Sequence, residues 1–399
     1  MNNKLLISAC CTALALGGCG GSGSGGNTAN SNTTINGSGG DGPVVGASVV
    51  VTDANGATVV TTPANPVTDA TAHYSFSVPS NTATPVVITL TGGTDSVTGK
   101  ALDFPLMSAV TSLPPSGAIT GNANPLSTLA VETALLKNGK RFTAAQLQTA
   151  VQTVSASLGF GLATGINPIT TPADTANIAS IVKANEAVAE LIRRTKVSVG
   201  LSTEMDALDA LAADLTDGKL DGQADASVPP RPMAATVAAV ALVKAAELTA
   251  ELLANQLTIT DDLGATLVTG AQSVAALNSS ITTTQPTATG NDADVSGVVP
   301  TQALLDQAKA AITVANRLTV GGSNPDLTNL LGIINTLTAG GTLTAGQITQ
   351  ITTLLPAVTT ALDGADNAAT SASGDDTALS AINGPLLWGA GNWNQAIWE

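Results

Sequence analysis

The side chains able to do chemistry are few and far apart in this 399-residue chain. Asp214, Asp217, Asp221 and Asp225 interleave with Gly218 and Gly222. Hard cations such as Ca²⁺ want several oxygens on a sharply turning loop, and glycines permit that turn. This loop is the one candidate for a metal, calcium, and otherwise no cofactor is expected. It is not an EF-hand, because counting back from either glycine puts Leu215 or Lys219 at a ligand position and no glutamate closes the loop. The plainer alternative is an acidic, solvated helix end and turn. His73 is the sole histidine, so His-based triads and two-His metal sites have no second member; it reads as a turn residue at a strand end. Residues 93–100 have one residue too many for a phosphate loop, with Ala101 where the Mg²⁺-binding hydroxyl should stand. Residues 159–165 miss the dinucleotide spacing by one and follow a helix instead of a strand. Both read as loops, and no catalytic residue is assigned. Trp388, Trp393 and Trp398 are all the tryptophans of the chain. Their spacing shares no helical face. Either they dock the C-terminus onto a helical core poor in large side chains, or they form an adhesive surface for a ligand.

The remaining reactive group is Cys19. It closes the run Leu16-Gly17-Gly18-Cys19 behind Lys4 and an apolar stretch over residues 5–16, which has signal-peptide length and is too short to span a bilayer. This run resembles the lipobox of bacterial lipoproteins. The resemblance implies that the Cys19 thiol is diacylated, that residues 1–18 are cut away, and that the new amine is acylated. It also implies the outer membrane or cell surface, because Gly20, not the aspartate that retains many lipoproteins at the inner membrane, follows the cysteine. Processing would remove Lys4, Cys10 and Cys11, leaving 13 Lys+Arg of the original 14 against 29 Asp+Glu, a net charge of −16. With Cys19 lipidated no internal disulfide can form, so stability rests on packing.

The charge balance argues against a nucleic-acid partner, since phosphate binding needs clustered cations. The closest cluster, Arg193-Arg194-Thr195-Lys196, is expected at the end of a helix, where the macrodipole favours cations. Membrane contact is expected through the acyl chains alone, and a surface glycan or protein is the remaining kind of partner.

Composition divides the rest. Residues 19–42, the lipidated cysteine and a Gly/Ser/Asn/Thr run, predict a flexible tether. From Pro43 short β-rich runs appear: Val49-Val50-Val51, then the turn signal Asp53-Ala54-Asn55-Gly56, then Tyr74, Phe76 and Val78 alternating with serines, then Val86, Ile88 and Leu90. The segments Asp41-Gly42-Pro43-Val44-Val45-Gly46-Ala47-Ser48-Val49 and Thr68-Asp69 with Tyr74-Ser75-Phe76 resemble the carboxypeptidase regulatory-like (transthyretin-like) family. Ala70-Thr71-Ala72-His73 replaces that family's turn glycine. The resemblance implies a small antiparallel β-sandwich over residues 43–112, an accessory or adhesive module without catalytic residues. Helices are expected after it, starting at Asn124-Pro125 and at the capping box Thr143-x-x-Gln146, then over about 173–197, 203–216, 232–257, 262–280, 301–319, 325–338 and 345–363, the last kinked at Pro356.

The expected fold class is therefore α+β and multidomain: a β-sandwich over 43–112, an all-α domain over 113–290, C-terminal helices over 291–384 and a Trp-rich tail over 385–399. The expected role is non-enzymatic binding, adhesion or scaffolding by a lipid-anchored surface protein. Two rivals stand beside it: a carbohydrate-binding accessory protein, and a hydrolase that uses a carboxylate pair held in a cleft.

Overall fold

The computed structural model describes residues 31–371, apart from 96–98, 164, 174–176, 255–256, 260–264, 267–300, 320–321 and 342, together with residues 378 and 382. Cys19, residues 1–18, Trp388, Trp393 and Trp398 lie outside the described residues.

The protein is a mixed α+β structure. Eight strands come first: β1 Asn32–Ser38, β2 Val44–Val45, β3 Ser48–Thr52, β4 His73–Pro79, β5 Val86–Thr91, β6 Thr94–Asp95, β7 Leu106–Val110 and β8 Ala118–Thr120. They form a three-stranded sheet of order β4-β1-β8, a second of order β3-β5-β7, and the two-stranded ribbon β2-β6. Period-two alternation explains the inner faces. Tyr74, Phe76 and Val78 of β4 and Val86, Ile88 and Leu90 of β5 are all buried, and they belong to one core with Ile35, Val49, Val51 and Leu106.

Two expectations are corrected here. Residues 32–38, assigned to the flexible tether, form β1, the central strand of its sheet. Ile35 and Thr33 are fully buried, and the Thr33 hydroxyl donates to the Pro114 carbonyl at 2.5 Å. A strand with so little apolar surface is held by its neighbours' packing and by hydrogen bonds on both edges. Nor is the pairing purely antiparallel, because β1 runs parallel to β8, with Ile35 opposite Ile119.

Gly37 shows how tightly β1 is enclosed. An added Cβ would lie 2.2 Å from the Gly121 carbonyl oxygen and 2.5 Å from the Tyr74 ring. The Tyr74 hydroxyl itself donates to that carbonyl. Gly37→Ala is therefore expected to force the backbone apart and cost about 2–3 kcal/mol. A lowered urea midpoint at unchanged slope is the measurement; an unchanged midpoint would show that β1 relaxes freely.

The helices follow: α1 Pro125–Asn138, α2 Ala144–Leu158, α3 Ile178–Val199, α4 Glu204–Asp214, α5 Ala234–Leu253, α6 Gln302–Leu318, α7 Pro325–Thr336 and α8 Ala345–Ser371. Asn124 and Thr143 cap α1 and α2 through reciprocal boxes with Ser127 and Gln146. The cap of α1 also docks it onto the sheet: Ser127 Oγ donates to the Met107 carbonyl at 2.6 Å and Thr128 Oγ1 accepts from the Met107 amide at 2.8 Å. Helix α5 is buried from Ala235 to Leu253 and packs against α3, α4, α6 and α8. Its alanines let those backbones approach closely. Among the described residues no helix is long and apolar enough to cross a membrane. Helix α8 runs unbroken through Pro356 to Ser371. In the stretch 262–280, expected to be helical, Ala265–Thr266 instead pairs with Thr258–Ile259 as an antiparallel ribbon.

Candidate functional site

Helix α3 carries Glu186, Glu190, Arg193 and Arg194, whose spacing puts them along one side. Ala184, Ala187, Val188, Ala189, Leu191 and Ile192 around them are all fully buried, and the charged stripe is buried too. Arg193 reaches the β region. Its Nη2 lies 2.5 Å from Asp41 Oδ2, in the turn after β1, and its Nε donates to Asp103 Oδ2 at 2.7 Å, in the segment before β7. Nη1 is 3.7 Å from Glu190 Oε2. Arg194 reaches the other way. Its Nε donates to Glu190 Oε1 at 3.0 Å, and its Nη1 lies 2.8 Å from Glu251 Oε1 and 3.2 Å from Glu247 Oε1, both on α5. Lys244 of α5 continues the chain of charges to Glu247 at 3.5 Å and to Asp366 of α8 at 3.3 Å. One line of ion pairs thus runs from the sheets through α3 and α5 to α8.

The expected helix-end role of Arg193 and Arg194 is corrected by this arrangement. The helix continues to Val199, and both guanidinium groups are buried against carboxylates. Acids outnumber bases here. Burial pushes the Asp41 carboxyl up to about 7, with Asp95 and Asp103 adding to the rise against the pull of Arg193. Glu186 is fully buried and is driven well above the usual carboxylate range, first by burial, then by Asp41 and Asp95. Burial opposes the Arg193 charge, yet Asp41 and Asp103 hold its pKa above the ordinary value.

The four aspartates singled out for calcium do not form a site. Asp214 is buried at the end of α4, and its carboxyl is raised to about 8 by burial, against the Gly222 and Asp221 amides and with Asp221 and Asp217 nearby. Asp217 Oδ1 accepts from the Lys219 amide at 2.8 Å and Asp221 Oδ1 from the Gln223 amide at 3.1 Å, so each holds its own turn. Asp225 points elsewhere, to Ser227 and to Lys137 Nζ at 3.4 Å. Among the described residues no group of three or more His, Cys, Asp or Glu side chains is arranged to hold a metal ion. The acids sit on the loop for hydrogen bonding, and the solvated-turn alternative describes three of them; Asp214 is the exception. His73 opens β4, half-buried, with Nδ1 2.7 Å from the Thr71 carbonyl. It lines a cavity of about 60 Å³ together with Asp41, Asn124 and Asn185. Within 93–100, expected to be a loop, Thr94–Asp95 form β6, which brings the buried Asp95 to the cluster.

Chemically, the cluster can hold protons and fix the sheets to α3. The atoms left without hydrogen-bond partners at the junction, Asp41 Oδ1 and both oxygens of Glu186, are closed to solvent. A cavity of about 330 Å³ is walled by Asp214 together with Ala210, Ala213, Val228 and Pro230.

Fold and site together define an α+β protein whose sheet and helical parts meet at a buried ionic junction. No protein-family model, no curated protein and no solved structure matches the chain.

Proposed function

We propose that the chain is an exported lipoprotein of the outer membrane or cell surface, with a binding, adhesive or scaffolding role and no catalysis of its own. The observation that carries the reading is the run Leu16-Gly17-Gly18-Cys19 behind the apolar residues 5–16. In this reading the two three-stranded sheets are the faces of a transthyretin-like sandwich, and the helices from α1 onward form the all-α domain set behind it. Support for binding over carboxylate hydrolysis comes from the site itself, because Asp41 is taken up by Arg193 and Glu186 is fully buried in the junction between the sheets and α3.

Metabolic labelling with a fatty acid tests the anchor. Wild type is expected to take up label and to fractionate with membranes, and Cys19→Ser to lose both. Equal labelling of the Cys19→Ser protein would overturn the reading and the location with it.

A further inference from the structure

Successive residues of a strand turn their backbone groups to alternate sides. In β3 the Val49 amide donates outward to the Pro66 carbonyl and the Val51 carbonyl accepts from Val59, so Val50 bonds its partner Thr89 of β5. Ile88 of β5 then faces β7 and bonds Ser108, which leaves Met107 and Ala109 of β7 turned away from the sheet. The outward groups of Met107 are taken up by Ser127 and Thr128 of α1. Those of Ala109 meet no partner among the described residues, although Ala109 is only 2% exposed. The other sheet ends in the same way. The Thr34 amide donates to Gly117 and the Gly121 amide to Asn36, so β8 bonds β1 through residues 117, 119 and 121 and turns the backbone of Thr120 outward, unbonded.

Both free edges border one groove of about 360 Å³, walled by Ala109 and Val110 of β7, Ile119 and Thr120 of β8, and Leu147 and Val151 of α2. The sheets face each other beside it: a Cβ added at Gly121 would lie 3.2 Å from Val110 Cγ2. None of the lining residues is charged, in a chain of net charge −15. A buried peptide group without a partner costs about as much as a lost hydrogen bond, so the groove lacks donors and acceptors as well as apolar cover. An extended main chain supplies both without charge, and open sheet edges take one up by strand pairing. Stacked sheets lie about 10 Å apart and paired strands about 4.8 Å, so a single strand has the width to bond both edges. We propose that this groove binds an extended, uncharged peptide segment of a partner protein, which pairs with Thr120 on one side and Ala109 on the other. Alternate side chains of the segment would lie against Leu147 and Val151. A second copy of the chain is the poorer occupant, because two such acidic molecules repel. The proposal names a partner for the binding role above and rests on that role but not on the anchor, so Cys19→Ser should bind peptide as wild type does.

Calorimetric titration of the full chain with the blocked peptide Ac-Val-Thr-Val-Thr-Val-NH₂ tests the groove. Binding is expected, and N-methylation of the central amide should weaken it about tenfold by removing one strand hydrogen bond. Replacing the three valines by aspartates should abolish it. Thr120→Pro removes the outward amide while leaving the bonds of Ile119 and Gly121 to β1 in place, and should weaken binding by a similar factor. No binding at millimolar peptide, or equal binding of the parent and N-methylated peptides, overturns the proposal. If Thr120→Pro does not fold, the N-methylated peptide on wild type decides alone. Wild type is expected to sediment as a monomer. A dimer that Thr120→Pro disperses would put a second copy in the groove and overturn the peptide partner.

Discussion

Arg193→Ala is expected to destabilise the protein by about 3–5 kcal/mol at pH 7, because it strips the partner from charges that stay buried. Asp41, its side chain only 2% exposed, would lose its contact at 2.5 Å, and the partly exposed Asp103 would lose its contact at 2.7 Å. The loss should shrink at pH 4–5, where the carboxyls can take up protons in place of the guanidinium. Arg231→Ala is the control. Arg231 pairs with Asp209 at 2.5 Å, but its side chain is 21% exposed and that of Asp209 37%. Screening and solvation leave such a pair worth about 0–1 kcal/mol. Chemical denaturation of both variants at two pH values measures the contrast. Equal small losses would mean that water enters the junction freely.

The second large effect concerns Asp214→Asn, which is expected to stabilise the protein at pH 8–9 and leave it unchanged near pH 4. The carboxyl is raised from 3.8 to about 8 in the folded chain. A raised acid favours folding fully below the unfolded pKa, and that contribution is lost as pH rises through the folded value. Wild type should therefore weaken between about pH 4 and pH 8, and Asp41, raised to about 7, adds to the same slope. Asparagine imitates the neutral acid and does not titrate. At about 1.4 kcal/mol per unit, the gain at pH 8.5 should be of order 3–5 kcal/mol. Thermal melts of both proteins across pH 4–9 read it out. Parallel curves would show that Asp214 stays solvated and ionised.

Much of the local structure was legible because it is written in short spacings. The alternation of Tyr74, Phe76 and Val78 marks β4, and Asn124-Pro125 and Thr143-x-x-Gln146 mark the starts of α1 and α2. Strand β1 was not legible because its inward positions are Thr33, Ile35 and Gly37, only one of them a large apolar residue. Its burial is imposed by the strands on either side. The ionic junction is harder still to read, since Asp41, Asp95 and Asp103 meet Arg193 from distant segments and no local pattern joins them. A signal was present on α3 itself. Glu186, Glu190, Arg193 and Arg194 form a charged stripe on a helix whose central part is otherwise rich in Ala, Val, Leu and Ile, and such a stripe must find partners inside. The aspartates of 214–225 misled for the opposite reason: close in sequence, they turn their oxygens to their own backbone amides.

The placement of β1 also sets an order of events in folding. Synthesis delivers this strand first, yet its sheet closes only when β8 arrives, and the contact of Ser38 with Asn122 spans 84 residues. Contacts of such separation form late because the intervening chain must give up its freedom before any of them is made. Until then β1 keeps one edge open even after β4 has paired with the other, so the interval between its emergence and that of Thr120 is when this chain is most open to pairing with the wrong strand.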